Sequence, residues 1–466
     1  MILMYDCIIV GGGPAGIFTA YELMLKAPHM KVLLIDKGRD IYSRNCPILQ
    51  KKTTKCPPGS CKPACSITSG FGGAGAYSDG KFNITSEFGG WMNNYLDNKQ
   101  VEGLIKYVDS INLNHGANSD LTDPYTEDVK RIEKQGYGHG LKLLRAKLRH
   151  LGTEQNLKIL QSIYETLKTH IDFSFGTKVT DVIVDNNQVK AVKLNGNKIE
   201  AKHVVLVPGR DGSEWMKDIL AGFGIEFTNN QVDIGVRVET NDIIMEEINK
   251  HLYEGKFIFR TSVGSTVRTF CSNPSGHVVV ENHSGIMLAN GHAYKDEALG
   301  SNNTNFALLV SHEFEKPFNQ PNEFAREVSK LANRLSNGSI IVQKYGDIKA
   351  GRRTTEKRIT EGFVKPTLRE AVPGDLGLVL PYNTMKSLIE MTEALDYVTP
   401  GIASEHTLFY GVEAKFYSAR PKVNDRFETK VSGLYVGGDG AGITRGLAQA
   451  GANGVWIARD IVDKAS

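Results

Sequence analysis

The stretch GGGPAG at residues 11–16 decides the fold, and it follows a strand predicted over Tyr5–Val10, whose apolar run is Cys7–Val10. Gly11, Gly13 and Gly16 have the spacing G-x-G-x-x-G. The first glycine allows a tight turn after a strand, the second lets backbone approach a pyrophosphate, and the third lets a helix pack on the strand. N–H groups at the start of that helix favour phosphate. The stretch therefore predicts a dinucleotide-binding loop.

The residues after the glycines complete a dinucleotide-binding unit. The pattern predicts a helix over Gly16–Leu25 and a second apolar strand over Lys31–Ile35, which ends at Asp36. A carboxylate at that place bonds the adenosine ribose hydroxyls. We predict an α/β fold with a discontinuous, doubly wound Rossmann-like domain. Its predicted cofactor contacts here are Gly11, Gly13, Pro14, Ala15, Gly16, Asp36 and Lys37.

A second glycine-rich run, Gly437–Gly442, distinguishes FAD from NAD. It follows an apolar strand predicted over Gly433–Gly438 and precedes a helix predicted over Gly446–Lys464. Asp439 can accept hydrogen bonds from ribityl hydroxyls, which NAD lacks. The helix N-terminus can stabilise negative charge on a reduced isoalloxazine. The two ends of the chain together predict FAD, with contacts from Gly438, Asp439, Gly446, Leu447 and Ala448.

The middle of the chain is divided by its patterns into three parts. A strand meander is predicted over 177–184, 190–194 and 198–200, and a further apolar strand over 203–207 leads to Pro208-Gly209. Leucines at helical spacing predict a helix over Gly140–Gln155. We expect an FAD-binding domain at 1–85, 140–221 and 405–466, a helical insertion at 86–139, and a strand-rich α+β substrate domain at 222–404.

Several longer strings carry a resemblance to known families. The glycine fingerprint, the meander ending in Pro-Gly and the late Gly-Asp together look like the glutathione-reductase-type FAD-binding fold. The strings SGFGGAGAYSDGKF (69–82), RTFCSNP (268–274), EAKFYSARPKV (413–423) and GGDGAGITRGLAQA (437–450) resemble the uncharacterised bacterial FAD-dependent dehydrogenase family, a group of NAD(P)/FAD-dependent oxidoreductases. The resemblance extends over nearly the whole chain.

This resemblance implies further cofactor contacts. The loop 69–82 should line the flavin or its pyrophosphate, and the backbone of Val179 should meet adenine. A flexible surface loop and a plain strand residue are the respective alternatives. The implied contacts are Gly73, Ala74, Gly75, Ser78, Val179 and Gly209.

Four cysteines, Cys46, Cys56, Cys61 and Cys65, lie in one loop just before these glycines. Their spacing matches neither a zinc ribbon nor a ferredoxin. A zinc site, an iron–sulfur cluster, a redox disulfide and reduced structural thiols all stay open.

Candidates for substrate chemistry are scattered. Possible acid–base groups are His283, His292, Tyr294 and His406, and possible anion binders are Arg268, Arg352 and Arg353. His283, Arg268 and Tyr294 are taken forward as catalytic candidates, and we expect their pocket at a domain interface. No second G-x-G-x-x-G follows, so the reductant is predicted to be a transiently bound NAD(P)H or a redox partner protein.

These patterns predict an FAD-dependent oxidoreductase that moves a hydride or electrons between flavin and an unidentified small organic substrate. A flavin-dependent RNA- or protein-modifying enzyme and a non-catalytic electron-transfer flavoprotein are the alternatives. A net charge of +3 with no basic run argues against nucleic acid as a partner. No segment approaches the ~20 apolar residues that span a bilayer. Without a secretory signal, a cytoplasmic location is expected.

Overall fold

The structure is a computed structural model of the chain. It describes residues 4–47, 50, 52, 61–78, 80–252, 255–283, 285–294 and 297–465. Within these residues no helix combines the length and the apolar character that a membrane crossing requires.

The strands are β1 (Met4–Val10), β2 (Val32–Asp36), β3 (Lys81–Ile84), β4 (Leu141–Leu143), β5 (Lys147–His150), β6 (Asp172–Phe175), β7 (Val179–Asp185), β8 (Gln188–Leu194), β9 (Asn197–Leu206), β10 (Phe227–Thr228), β11 (Val232–Asn241), β12 (Phe257–Arg260), β13 (Thr266–Asn273), β14 (His277–His283), β15 (Ile286–His292), β16 (Asn303–His312), β17 (Ile341–Lys344), β18 (Val372–Pro373), β19 (Leu408–Lys415), β20 (Arg420–Pro421) and β21 (Leu434–Val436).

The helices are α1 (Pro14–Lys26), α2 (Asn98–Asn114), α3 (Glu127–Tyr137), α4 (Thr153–Leu167), α5 (Ser213–Gly222), α6 (Asp242–His251), α7 (Pro321–Leu335), α8 (Tyr345–Lys349), α9 (Glu356–Thr360), α10 (Tyr382–Leu395) and α11 (Leu447–Ala465).

The chain forms two compact units. Unit 1 consists of Met1–Thr122, Ala146–Thr228 and Ser418–Ser466, and unit 2 consists of Asp123–Arg145 and Asn229–Tyr417. The segment 86–139, predicted as one helical insertion, is shared between the units, because α2 belongs to unit 1 and α3 to unit 2. Likewise β19 lies in unit 2, although the sequence placed residues from 405 onward in the cofactor domain.

The main sheet of unit 1 has the strand order β6-β2-β1-β9-β8-β7. β1 pairs in parallel with β2 on one side and with β9 on the other. β9 is long enough to take two partners on its far side: its first half pairs with β8, and residues Val204–Leu206 pair with β21. The apolar residues Cys7–Ile9 are fully buried between these neighbours. The doubly wound α/β class predicted from the glycine stretch is confirmed.

Most of the predicted elements around this sheet are present. β1, α1, β2, the meander β7–β9 and α11 lie within a few residues of their predicted ranges. Asn186 and Asn187 have φ values of 50° and 57°. Two successive left-handed residues are typical of a tight hairpin turn, and here they connect β7 to β8. The predicted separate strand at 203–207 is instead the second half of β9.

The predicted helix over Gly140–Gln155 is wrong. The segment forms β4 and β5, and helix α4 begins only at Thr153. Leu141 and Leu143 are buried while Lys142 between them is exposed, which is the period of a strand. β4 gains a partner from far along the chain, because it pairs with β12. Leucines at this short range fit both periods, and the distant partner decides between them.

Unit 2 is built on a sheet with the strand order β18-β17-β19-β11-β16-β13-β12-β4. Strand β11 alternates strictly between two faces. Val232, Ile234, Val236 and Val238 contribute to an apolar core, whereas Asp233, Arg237 and Glu239 point to the other face. Unit 2 therefore has one apolar face and one face that carries buried charges.

Candidate cofactor site

The loop after β1 has the geometry that its glycines predict. Gly11 has a φ of +119°, and a Cβ there would overlap the carbonyl oxygen of Val207. A Cβ on Gly16 would overlap the carbonyl oxygen of Gly11, so this residue lets α1 start close to the strand. A Cβ on Gly13, by contrast, would meet open space. The open space in front of Gly13 is a cradle that any side chain would fill.

The N-terminus of α1 faces this cradle without a side chain of its own. Gly13 is the N-cap residue and provides no side-chain cap, Pro14 occupies the first turn, and that turn has no acidic residue. The positive end of the helix dipole and its N–H groups are thus available to an anion. The arrangement fits the pyrophosphate of a dinucleotide.

Asp36 at the end of β2 has a role that the sequence did not show. Its carboxylate accepts hydrogen bonds from three backbone N–H groups, those of Gly12 (2.8 Å), Gly38 (2.7 Å) and Gly70 (2.8 Å). Asp36 therefore ties the glycine loop to the segment around Gly70. A carboxylate offers about four acceptor positions, so it keeps capacity for a ribose hydroxyl. Lys37, the next predicted contact, forms an ion pair with Asp211.

The loop that contains Gly73, Ala74, Gly75 and Ser78 is held against the glycine loop. The Gly72 N–H donates to the carbonyl of Gly12 at 2.8 Å, and a Cβ on Gly73 would lie 3.1 Å from the Cα of Gly13. This position excludes the flexible-surface-loop alternative. Contact with the flavin itself stays a prediction for these residues.

A buried arginine, which sequence reasoning missed, fixes this loop. The Arg44 guanidinium is only 4% exposed. It donates to the carbonyl oxygens of Ser66, Ile67, Phe71 and Gly73 at distances of 2.6–3.0 Å. Asn156 of α4 adds a hydrogen bond of 2.7 Å to the carbonyl of Gly75. The sequence does not indicate this role of Arg44, because its hydrogen-bond partners are backbone carbonyls, which every residue has.

The C-terminal elements return to the same loop. A Cβ on Gly454 of α11 would overlap the carbonyl oxygen of Ala15, so α1 and α11 cross at very close range. Asn453 accepts a hydrogen bond of 2.8 Å from the Gly438 N–H, and Gly438 has a φ of +72°. The first turn of α11, which includes Leu447 and Ala448, has no acidic residue. Two helix N-termini therefore converge on one region of unit 1.

Asp439 has hydrogen bonds to one of its two carboxylate oxygens, and its ribityl contact stays a prediction. Its Oδ1 accepts hydrogen bonds from the Thr444 hydroxyl (2.8 Å) and the Gly446 N–H (3.4 Å). No described residue donates to Oδ2, which leaves that atom for a ligand hydroxyl. Burial raises the pKa of Asp439, while the charge of Arg210 and the bond from Thr444 oppose the rise.

Gly209 and Val179 complete the predicted cofactor contacts. Gly209 has a φ of +69°, and its carbonyl oxygen would collide with a Cβ on Gly440. The turn after β9 thus packs against the loop that carries Asp439. Val179 is buried at the start of β7, and its contact with adenine stays a prediction.

One further segment borders the C-terminal loop without having been predicted. The Trp91 N–H donates to the carbonyl of Ile443, and the Arg445 N–H donates to the carbonyl of Gly89, each at 2.7 Å. Gly90, with a φ of +147°, has no room for a side chain beside Gln449. The glycine pair at 89–90 was the available signal, since only a close backbone approach requires both.

The catalytic candidates do not form one constellation. His283 and His292 lie at opposite ends of the hairpin β14–β15, about 20 Å apart at strand spacing. Tyr294 packs edge-on against His292, and His406 stacks on Phe363. His283 therefore cannot act on the same substrate atom as His292.

The arginine candidates differ in their partners. Arg352 forms an ion pair of 2.6 Å with Asp347, and Arg353 donates to the carbonyl of Pro373 at 3.2 Å. The Arg268 Nε is buried, and no residue in the described part of the chain accepts a hydrogen bond from it. Arg268 is thus the candidate whose bonding capacity is unused.

Three of the four loop cysteines are described, and all three are free thiols: Cys46, Cys61 and Cys65. Cys56 lies outside the described residues. Among those that are described, no three His, Cys, Asp or Glu side chains lie close enough to hold a metal ion. Burial raises the pKa of Cys65, but hydrogen bonds from Thr68 and Ile67 outweigh it, so the pKa is lowered overall. The metal, disulfide and structural alternatives all stay predictions.

Comparisons with known proteins agree with this geometry. Residues 6–226 match the family model described as FAD dependent oxidoreductase, and residues 231–416 match the one described as FAD-dependent protein, C-terminal domain-like. A protein of Clostridium beijerinckii, described only as an uncharacterized protein, is 24% identical over 98% of this chain and 80% of its own length.

Two solved structures are among those that match the chain. Glycine oxidase from Bacillus cereus is 11% identical, with a TM-score of 0.39 over 99% of this chain and 96% of that chain. L-proline dehydrogenase from P. horikoshii is 12% identical, with a TM-score of 0.37 over 100% of this chain and 95% of that chain.

Proposed function

We propose that this chain, which belongs to the FAD-dependent oxidoreductases, transfers a hydride or electrons between bound FAD and a small organic substrate. Membership rests on the two family models, which together match residues 6–226 and 231–416. The observation that carries the proposal is that two helix starts lie beside the same glycine loop: the N-terminus of α1, which has no side-chain cap, and the first turn of α11, which has no acidic residue.

Bound FAD supplies the redox chemistry, and the chain supplies binding and electrostatics. Gly13 and Pro14 present the positive end of α1 to the pyrophosphate. Asp439 offers Oδ2 to a ribityl hydroxyl while Thr444 holds its other oxygen. The N-terminus of α11 favours negative charge near Leu447, which stabilises the reduced state of a flavin bound there.

The pairing of Asp36 with three backbone N–H groups keeps this site in shape before the cofactor arrives. Because the same carboxylate holds Gly12 and Gly70, the cradle and the neighbouring loop are positioned together. A preorganised site avoids part of the entropy cost of binding. The apoprotein should therefore bind FAD without a large change in its secondary structure.

The test is a redox cycle on the purified protein. The protein is reconstituted with FAD, and its flavin is reduced by light in the absence of oxygen. It is then mixed with the oxidised forms of small alcohols, amines and acids. Each compound is compared with an analogue that has the same carbon skeleton but cannot accept electrons. Iron and zinc are measured on the same sample. We expect at least one compound to re-oxidise the flavin faster than its analogue.

Two results would count against the proposal. Protein that stays colourless after incubation with FAD would overturn the cofactor assignment. Bound flavin that exchanges electrons with a protein but with none of the small molecules would favour an electron-transfer role instead.

A further inference from the structure

One end of the unit 2 sheet presents a basic face. On β4, β12 and β13, the side chains of Leu141, Phe257 and Val267 join the apolar core. Side chains on the opposite face alternate with them and include Lys142, Arg260 and Arg268. None of these three strands contains an aspartate or a glutamate. The face therefore has positive charge with no acidic neighbour on its own strands.

The strand register brings these cations together. Lys142 lies opposite Ile258, and Ile258 lies opposite Arg268 on the next strand. Arg260 lies opposite Thr266, one diagonal step from Arg268. At about 4.8 Å between strands, the three cationic side chains originate within roughly 10 Å of one another. Long side chains over that span can converge on one ligand.

Arg268 differs from the other buried arginine of this sheet in having no acceptor. Arg237 donates to Asn305 at 2.8 Å and to the carbonyl of Cys271 at 3.0 Å, and it contacts Glu413 at 3.5 Å. The Arg268 Nε is also buried, yet among the described residues it has no hydrogen-bond partner. A buried donor left without a partner destabilises the protein, and a charged donor does so more strongly. A protein keeps such an unpaired donor where a bound ligand supplies the missing hydrogen-bond acceptor.

The carboxylates farther along this face are not available to Arg268. Asp233 accepts from Ser311 and Tyr417, and Glu413 is shared by Arg237 and Lys415. Glu239 accepts from Thr367, Asn303 and Tyr410. Glu413 Oε1 also has no hydrogen-bond partner, but Glu413 lies three strands away from Arg268, so no described carboxylate serves as the acceptor of the Arg268 Nε.

The surroundings of Arg268 define the ligand further. A guanidinium presents Nε and one terminal nitrogen as a planar fork that fits two oxygens of one carboxylate or phosphate. Its neighbours across the strands, Ile258 and Leu309, are apolar. The ligand therefore combines an oxyanion with an apolar carbon skeleton.

We infer that Arg268, with Arg260 and Lys142 beside it, binds an oxyanion ligand on this face of unit 2, either an organic acid or a phosphate ester. This oxyanion site does not depend on the proposed function.

The experiment measures binding without turnover. FAD-loaded protein is titrated calorimetrically with benzoate, phenyl phosphate and inorganic phosphate, and with benzamide as the neutral analogue of benzoate. We expect benzoate or phenyl phosphate to bind saturably and benzamide not to bind. The preferred anion distinguishes a carboxylate from a phosphate ligand.

Variants assign the binding to this face. Arg268→Met should weaken binding of the preferred anion roughly 10- to 100-fold, since charge-assisted hydrogen bonds are lost, and Arg268→Lys should weaken it less. Arg369→Met removes the same charge from an exposed position of unit 2. This variant should bind the preferred anion with the same affinity as the unaltered protein. Unchanged binding by Arg268→Met, or equal binding of benzoate and benzamide, would overturn the site. If Arg268→Met does not fold, Arg260→Met takes its place, with the same two overturning results.

Discussion

Two regions of this molecule provide for negative charge by different means. In unit 1 the cradle at Gly13 relies on backbone N–H groups and a helix dipole, and the nearby Lys37 is already paired with Asp211. In unit 2 the face around Arg268 relies on cationic side chains and strand register. A backbone site must exclude side chains, so its glycines are visible in the sequence. A site made of side chains has no comparable sequence motif, because its residues come together only when strands distant in the chain pair.

The strongest test of the backbone site is Gly16→Val. A Cβ at this position would already overlap the carbonyl oxygen of Gly11, and the clash is with backbone that cannot rotate away. We expect either no soluble protein or a loss of more than about 4 kcal/mol in the free energy of unfolding. Urea denaturation followed by circular dichroism measures this. A variant of unchanged stability would show that the loop geometry described above is wrong.

Removing Arg237 tests what a partnered arginine does in unit 2. Arg237→Met removes the guanidinium partner of the buried Glu413 and Asn305, which keep only Lys415 and Asn273 among the described residues, so we expect a loss of about 3–5 kcal/mol in the free energy of unfolding. The double variant Arg237→Met, Glu413→Gln should recover part of it. Arg268→Met is the matched control and should cost less than about 1 kcal/mol. If both variants lose the same free energy of unfolding, Arg237 and Arg268 do not differ as a structural and a ligand-binding arginine.

Gly13→Val separates cofactor binding from folding. Space around Gly13 is open in the protein alone, so the apoprotein should keep its stability, whereas the added side chain would occupy the cradle. We expect FAD affinity to fall about 100-fold or more, which corresponds to roughly 2.7 kcal/mol. Flavin fluorescence titration of the apoprotein measures it. Normal FAD affinity would place the pyrophosphate elsewhere.

The smallest effect expected is a pH dependence at Asp439. Burial raises its pKa in the folded apoprotein, against the charge of Arg210 and the bond from Thr444. The stabilisation from this protonated group is complete below the unfolded pKa of about 4 and is lost as the pH rises through the folded value. Stability of the apoprotein should therefore fall over the window just above pH 4, and Asp439→Asn should flatten that fall.

Asp347 in unit 2 is the matched control with the opposite sign. Burial raises its pKa, but Thr354 and Arg352 outweigh burial, and the pKa is lowered overall. Its contribution is present above pH 4 and is lost as the pH falls through the folded value. Asp347→Asn should thus reduce the fall in the free energy of unfolding that occurs as the pH drops below about 4. Identical profiles for the two variants would contradict both assignments.

The contrast between the regions also explains what could be predicted from the sequence. β1, α1, β2 and α11 follow from short-range apolar patterns and from glycines whose conformations other residues rarely adopt. The roles of Arg44 and Asn453 could not be foreseen, since each bonds to backbone that the chain brings close only after folding. The segment 140–155 was misread because its leucines fit two periods, and only pairing with β12 selects the strand.

The close crossing of α1 and α11 has a consequence for biosynthesis. β21 and α11 are synthesised after every other described element of unit 1, yet β21 pairs with β9 and α11 packs against Ala15 beside the cradle. A nascent chain released before about residue 434 has the full glycine fingerprint but lacks these two elements. Flavin retention therefore reports that translation has passed α11, so yellow protein in a cell extract contains β21 and α11.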